Sequence, residues 1–267
     1  MARNFVTSDG YDFAWDEFAP VGEVRGRIVV VHGIRSHAGW YAGSCAKLAA
    51  AGYEVCFLER RGAGRNTVAR GDAPGFRRLR QDIVEFLASR PPMPTHLLGI
   101  SWGGKLALAA AAVAPVASLL LVAPGFVPRV RTSWRERLRF TAARLFAPTK
   151  LFDVPLNAPE LFTRDPAWQA YLRTNPHDTH RATARFFVGS AALDLRLRRT
   201  PNPTPTLTLL AGDDRVIDNA ATRAFVAKFP HPANRVIEYA GSAHTLEFED
   251  RELAFVGDIL AWLAAVE

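Results

Sequence analysis

The sequence predicts an α/β protein: a mostly parallel central sheet with helices on both faces, interrupted by an inserted helical cap. Three observations predict this. Short β-branched runs alternate with helical segments of about a dozen residues, the rhythm that builds a parallel sheet. The rhythm lapses once, between Phe126 and Pro205, and then resumes. The 267 residues, 49% hydrophobic and 22% charged, suffice for one large α/β domain and a modest insertion.

Taken in order, residues 4–7 and 11–17 flank Ser8-Asp9-Gly10, a turn signal, and predict a starting hairpin. Residues 27–31 form a β-branched run ending at His32-Gly33, suited to a strand buried on both faces. Residues 42–51 read as a helix closed by Gly52. Tyr53–Leu58 is the next strand, followed by a Gly- and Arg-rich loop over 60–70. Leu79, Ile83, Phe86 and Leu87 have the spacing of an amphipathic helix over 79–89. A strand at 96–100, a helix at 102–113 and a strand at Ser118–Val122 continue the pattern.

Residues 126–205 carry helix-like and loop-like sequence without a convincing buried strand. Trp134, Leu138, Thr141, Ala142 and Leu145 recur at helical spacing, and 182–197 predicts a second helix. Thr200-Pro201-Asn202-Pro203-Thr204-Pro205 is a stiff closing linker. Strands at 207–211 and 235–239 and helices at 219–229 and 253–266 complete the chain. The expected division is therefore a core of 1–125 and 206–267 with a cap of 126–205.

Composition narrows the function. Two cysteines, Cys45 and Cys56, are too few for a disulfide framework or a four-thiolate zinc site, and fit a reducing, cytoplasmic setting. Residues 1–9 are polar and do not resemble a secretory signal, and no apolar run reaches the roughly 18 residues of a membrane span. The net charge is +7, but the arginines are scattered, without the basic tail or aromatic-basic pattern of a nucleic-acid module. No nucleic-acid partner is expected.

The segment from Leu97 to Gly104 carries the chemistry. Gly99, Ser101 and Gly103 match G-x-S-x-G, which needs a strand running through a sharp turn into a helix. A serine held there takes a strained backbone, so its neighbours two residues away must be small. Its hydroxyl is a poor nucleophile and requires a base oriented by an acid. Past the strand at 207–211 lies Gly212-Asp213-Asp214-Arg215-Val216, where doubly wound folds place active-site groups. Asp214 is preferred over Asp213, a turn residue, and over Asp218, which reads as a helix N-cap. Past the next strand, Ala240-Gly241-Ser242-Ala243-His244 offers the base on a small-residue loop. Two amides should stabilise the developing oxyanion, Trp102 after the nucleophile and Ile34 in the loop after the first core strand. His32 and His37 lack a third metal ligand and read as loop-ordering residues. His96, His177, His180 and His231 have no recognisable partner and read as core or surface.

With these motifs the chain resembles α/β-hydrolase serine esterases, and within them the monoacylglycerol lipase and lysophospholipase-like group. The resemblance rests on Val31-His32-Gly33-Ile34-Arg35-Ser36-His37 with Trp40-Tyr41, the elbow at 99–104, the acid turn at 212–218 and the base loop at 241–244. Glu59-Arg60-Arg61-Gly62-Ala63-Gly64-Arg65-Asn66 is similar to the group's D-x-R-G-x-G-x-S stretch, with Glu59 and Asn66 as departures. It covers about two thirds of the chain and leaves out the cap. It implies cleavage of a small-molecule or lipid ester by Ser101, His244 and Asp214 through an acyl enzyme, with no metal or organic cofactor. Thioesterase, C–C hydrolase and acyltransferase chemistry could use the same triad, and a non-catalytic binding protein is the rival from another class. Epoxide hydrolases and dehalogenases are disfavoured, because their elbow implies Asp where this chain has Ser101. In the cap, Trp134, Leu138, Leu145 and Phe146 alternate with Arg135, Arg137, Arg139 and Arg144. Packing on the core with arginines in water is the preferred expectation, and peripheral membrane contact the alternative.

Overall fold

The computed structural model describes residues 2–266; Met1, at the head of the polar start, lies outside them. Strands β1 (Ala2–Val6) and β2 (Asp12–Phe18) form the starting antiparallel hairpin. Then follow β3 (Gly26–Val31), α1 (Ala42–Ala50), β4 (Tyr53–Leu58), α2 (Phe76–Ser89), β5 (Thr95–Ile100), α3 (Trp102–Ala111) and β6 (Ser118–Val122). Strands β3, β4 and β6 are buried along their whole length, which is why their sequences are near-continuous apolar runs. Helix α2 turns Leu79, Ile83 and Phe86 inward, a spacing of roughly one helical turn. Helix α3 is Ala-rich because it is buried on nearly every side.

Beyond β6 the chain leaves the sheet. Its elements there are α4 (Trp134–Phe146), β7 (Leu151–Asp153), α5 (Pro166–Thr174), β8 (Arg181–Thr183) and α6 (Ala184–Leu197). This segment departs from the sequence expectation in two respects. Strands β7 and β8 form a small antiparallel ladder, too short to leave a period-two pattern in the sequence. Helix α4 does exist, but its predicted apolar stripe faces outward. Trp134, Leu138, Leu145 and Phe146 are 67%, 60%, 73% and 87% exposed, and the residue α4 buries is Phe140. Phe140 stacks on Phe187 of α6 at 4.6 Å and meets Phe152 of β7 edge-on at 4.8 Å. Arginines therefore flank an exposed apolar face rather than covering a packed one.

The chain returns as β9 (Thr206–Ala211), α7 (Asn219–Val226), β10 (Arg235–Tyr239), a short α8 (Leu246–Glu249) and α9 (Ala254–Val266). The eight-stranded sheet runs β1-β2-β4-β3-β5-β6-β9-β10, parallel from β4 onward. Its register pairs Val31 with Gly99, Ile100 with Val122 and Val122 with Leu209. The strand ends are thus level, and the loops after β3, β5, β9 and β10 open along one edge, where such sheets bind ligands. Among the described residues no helix is long and apolar enough to cross a membrane.

The turn between β5 and α3 has no spare volume. A Cβ on Gly99 would lie 2.6 Å from both the Ala107 Cβ and the Gly104 Cα. One on Gly103 would overlap the carbonyl oxygens of Val31 and His32. Gly103→Ala should therefore lower unfolding free energy by about 2–3 kcal/mol in urea denaturation. An unchanged midpoint and slope would show that β3 yields easily at this contact.

Candidate active site

Ser101 sits on this turn with φ 50° and ψ −123°, a left-handed conformation that a serine adopts only under constraint. Its amide donates to Val122 O at 2.9 Å, and its carbonyl accepts from Gly104 N at 2.9 Å and Gly125 N at 2.8 Å. The hydroxyl is left pointing away from the sheet, and Oγ lies 2.9 Å from His244 Nε2. His244 Nδ1 lies 2.7 Å from Asp214 Oδ2. The other Asp214 oxygen accepts from the amides of Val216 at 2.7 Å and Ile217 at 3.0 Å. These amides fix the carboxylate, and the carboxylate fixes the ring.

The structure thus brings Ser101, His244 and Asp214 together and separates the two neighbouring acids. Asp213 is exposed and pairs with Arg164. Asp218 caps α7, accepting from Ala221 N at 3.0 Å. His244 is buried to 4% exposure, with the Phe162 ring edge-on at 5.8 Å.

Ile34 and Trp102 line the same cavity as Ser101. Among the described residues no protein acceptor meets either amide, and Trp102 N–H, first in its helix, has no intrahelical partner to find. The direction of the Ile34 N–H follows from groups the sequence reading did not assign. Arg60 N donates to His32 Nε2 at 2.8 Å, so the proton of this neutral ring is on Nδ1, which donates to Gly33 O at 2.8 Å. Burial holds His32 far below the usual histidine range, consistent with that tautomer. The Arg60 guanidinium also donates to Gly33 O, at 3.1 and 3.3 Å, and to Ile34 O at 2.8 Å. In a trans peptide N–H and C=O point opposite ways. Three donors on Gly33 O therefore turn the Ile34 N–H away from them. Arg60 stands at an unspecified position of the stretch that begins at Glu59, and its role has no local signal: a buried guanidinium is invisible without knowing which arginines are buried.

A second layer ties this loop to the inserted segment. Asp178, before β8, accepts from Arg35 at 2.9 Å and from the Trp40 indole at 2.9 Å. Burial pushes its carboxyl up to about 6, and burial, with His177 adding to it, pushes His37 down to about 4. Glu59 Oε1 accepts from Ala38 N at 3.1 Å.

The fold and the geometry at Ser101 define an α/β-hydrolase. The chain belongs to the family described as serine aminopeptidase, S33 (Hydrolase_4), whose profile matches residues 22–251. It is 24% identical to a monoacylglycerol lipase of Mycolicibacterium smegmatis over 98% of this chain and 96% of that protein. A soluble variant of monoglyceride lipase from Saccharomyces cerevisiae, solved with a substrate analogue, superimposes with a TM-score of 0.87 at 20% identity, over 100% of this chain and 94% of the other. The monoacylglycerol lipase of Paleococcus ferrophilus gives 0.83 at 20% identity, over 96% and 99%. The likeness lies with the monoacylglycerol-lipase-like group of hydrolases.

Burial pushes the Glu59 carboxyl up to about 7 from an ordinary 4.5. The folded chain then keeps a proton that the unfolded chain releases, so stability from this group is complete below the ordinary value and falls as pH rises through about 7. Glu59→Gln keeps an acceptor for Ala38 N–H and cannot ionise. It should match wild type near pH 4 and exceed it by on the order of 2–3 kcal/mol at pH 8 in urea denaturation. An equal effect at both pH values would contradict a buried, proton-holding acid.

Proposed function

We propose that the protein is a carboxylic ester hydrolase acting through an acyl enzyme. The observation that carries this reading is the hydrogen-bonded line from Ser101 Oγ through His244 to Asp214, opening into a largely apolar cavity of about 540 Å³. His244 Nε2 takes the Ser101 proton as Oγ attacks the ester carbonyl. Asp214 holds the Nδ1–H tautomer and stabilises the imidazolium. The Ile34 and Trp102 amides receive the oxyanion. His244 returns the proton to the leaving alcohol, and water then frees the acid by the same route in reverse.

Segment 126–205 acts as a cap whose Phe140, Val154, Leu156, Phe186 and Phe187 wall the cavity around an aliphatic chain. The similarity to monoacylglycerol lipases supports a lipid-like ester. Peptidase action at an N-terminus is less well supported. The carboxylate lining this cavity, Asp194, is already paired with Lys105 at 2.6 Å, leaving no free acid there, among the described residues, to hold an ammonium group. The buried, unpaired thiols of Cys45 and Cys56 support a reducing, cytosolic setting.

The exposed face of α4 supports peripheral contact with an anionic membrane, apolar groups entering the interface and flanking arginines meeting head groups.

Ser101→Ala should lower hydrolysis of p-nitrophenyl esters by at least ~10³-fold while the protein stays folded. Turnover equal to wild type would remove Ser101 as the nucleophile. The Leu145→Ser, Phe146→Ser double variant should bind phosphatidylglycerol vesicles at least about tenfold more weakly, with unchanged turnover of a soluble short-chain ester. Unchanged sedimentation with vesicles would count against membrane contact through α4.

A further inference from the structure

The cations of this protein divide into two populations. The buried arginines Arg27, Arg35 and Arg61 have Glu54, Asp178 and Asp82 at hand. Around the cavity at Ser101 stand one buried lysine and three exposed arginines. Its lining includes Lys105, Arg131, Arg137 and Arg198 against a single acid, Asp194. Lys105 takes that acid. Among the described residues no carboxylate meets Arg131, Arg137 or Arg198; the polar partner of the Arg137 side chain is the Thr132 hydroxyl at 3.4 Å.

The four cations come from different parts of the chain yet face one cavity. Arg131 is on the segment entering α4, Arg137 in α4, Arg198 just past α6 and Lys105 in α3. Lys105 is four residues after Ser101, roughly 6 Å along the helix axis, and is only 4% exposed. A buried ammonium one turn below the candidate nucleophile is an unusual wall for a neutral lipid pocket. Like charges gathered around one cavity repel one another and raise the local concentration of anions. Much of the remaining lining is apolar, with Phe140, Phe186 and Phe187 among it. Such a cavity matches an amphiphile carrying a negative group.

We propose that the substrate is an anionic ester: an aliphatic acyl ester whose acyl or alcohol part bears a carboxylate or phosphate, held by Arg131, Arg137, Arg198 and Lys105. This rests on the ester-hydrolase reading of Ser101 and adds the substrate's charge to it. Bound anion neutralises the arginine cluster and frees Asp194 from being the only counter-charge to Lys105.

The test measures binding, so that it stands apart from turnover. Calorimetry on Ser101→Ala protein would compare 1-O-octylglycerol with 1-O-octylglycerol 3-phosphate, and methyl octanoate with monomethyl suberate. The first pair places the charge on the alcohol side, the second on the acyl side. At least one anion should bind tenfold or more tightly than its neutral partner, and the pair that shows it identifies the charged part. That advantage should shrink below threefold in the Arg131→Gln, Arg198→Gln double variant and at 0.5 M NaCl. It should persist in Arg77→Gln, Arg251→Gln, which removes the same net charge at exposed positions away from the cavity. Equal binding within both pairs overturns the proposal, as does an advantage lost equally in the control variant. Should the first double variant fold poorly, the wild-type comparison and its salt dependence still decide. Turnover of neutral p-nitrophenyl esters separately decides the hydrolase reading: esters cleaved without anion preference leave that reading intact and sink this one alone.

Discussion

Ser101 occupies a backbone conformation that costs a residue with a side chain on the order of 1–3 kcal/mol, and the rest of the site depends on its being held there. The strain persists because the surroundings leave no alternative. Val122, Gly104 and Gly125 saturate the serine's own peptide groups, and β3 presses against Gly103 from the far side. Relaxing the turn would break these hydrogen bonds and open a gap between β3 and α3. The cost is spread over a core that is buried anyway, and the return is one hydroxyl aimed out of the sheet toward His244. Ala123, on the next strand end, also has positive φ, at 43°, so the strain continues along the edge where the site opens.

Asp214 and the Ile34 amide are each oriented by groups other than Ser101 and His244. Asp214 is pinned by two amides of its own turn, so its direction does not depend on His244. Gly33 O is pinned by His32 and Arg60, which sets the Ile34 amide without help from a ligand. Both orientations are set by the fold itself, before any ligand is present. Arg60 bears a further load, because its guanidinium lies over the Trp102 ring at 5.1 Å and so couples the two candidate oxyanion donors. Losing that one side chain would loosen both at once.

The sequence carried the sheet clearly, since strands buried on both faces can hardly be written otherwise than Ile28-Val29-Val30-Val31 or Leu119-Leu120-Leu121-Val122. It also carried the residues the structure gathers at Ser101, because an elbow and two strand-end loops are local patterns that keep their order. What it did not carry depends on tertiary partners. Arg60 among 33 Lys and Arg residues has no local mark. Asn66, a departure from the resembled pattern, is chosen by three contacts in space: its oxygen accepts from Ala14 N at 2.9 Å, and its amide donates to Glu59 O at 2.7 Å and Arg60 O at 3.1 Å. Glu59, the other departure, fits only because Gly64 has no Cβ, which would overlap its carboxyl group. The outward face of α4 is illegible in the sequence for the same reason. Its periodicity is real, but periodicity says that a helix has two faces, not which one meets the protein.

Helix α4 joins the two least legible features. Its outer side presents Leu138, Leu145 and Phe146 to solvent, while Arg137 faces the cavity. Between them a single residue of the helix, Phe140, is buried, held in the stack with Phe187 and Phe152. Aromatic pairs of this kind contribute about 0.5–1.5 kcal/mol each beyond their buried area, and they join α4 to α6 and β7. Because both lie on one helix, a displacement of α4 would move the outer apolar face and Arg137 together. The surface that would meet a lipid layer and the charge that would meet a substrate's anion are therefore mechanically one piece. Partitioning of the outer face into an interface would shift Arg137 at the cavity, and an anion bound inside would bias how the outer face is presented. Phe140 is the position through which the two would be coupled.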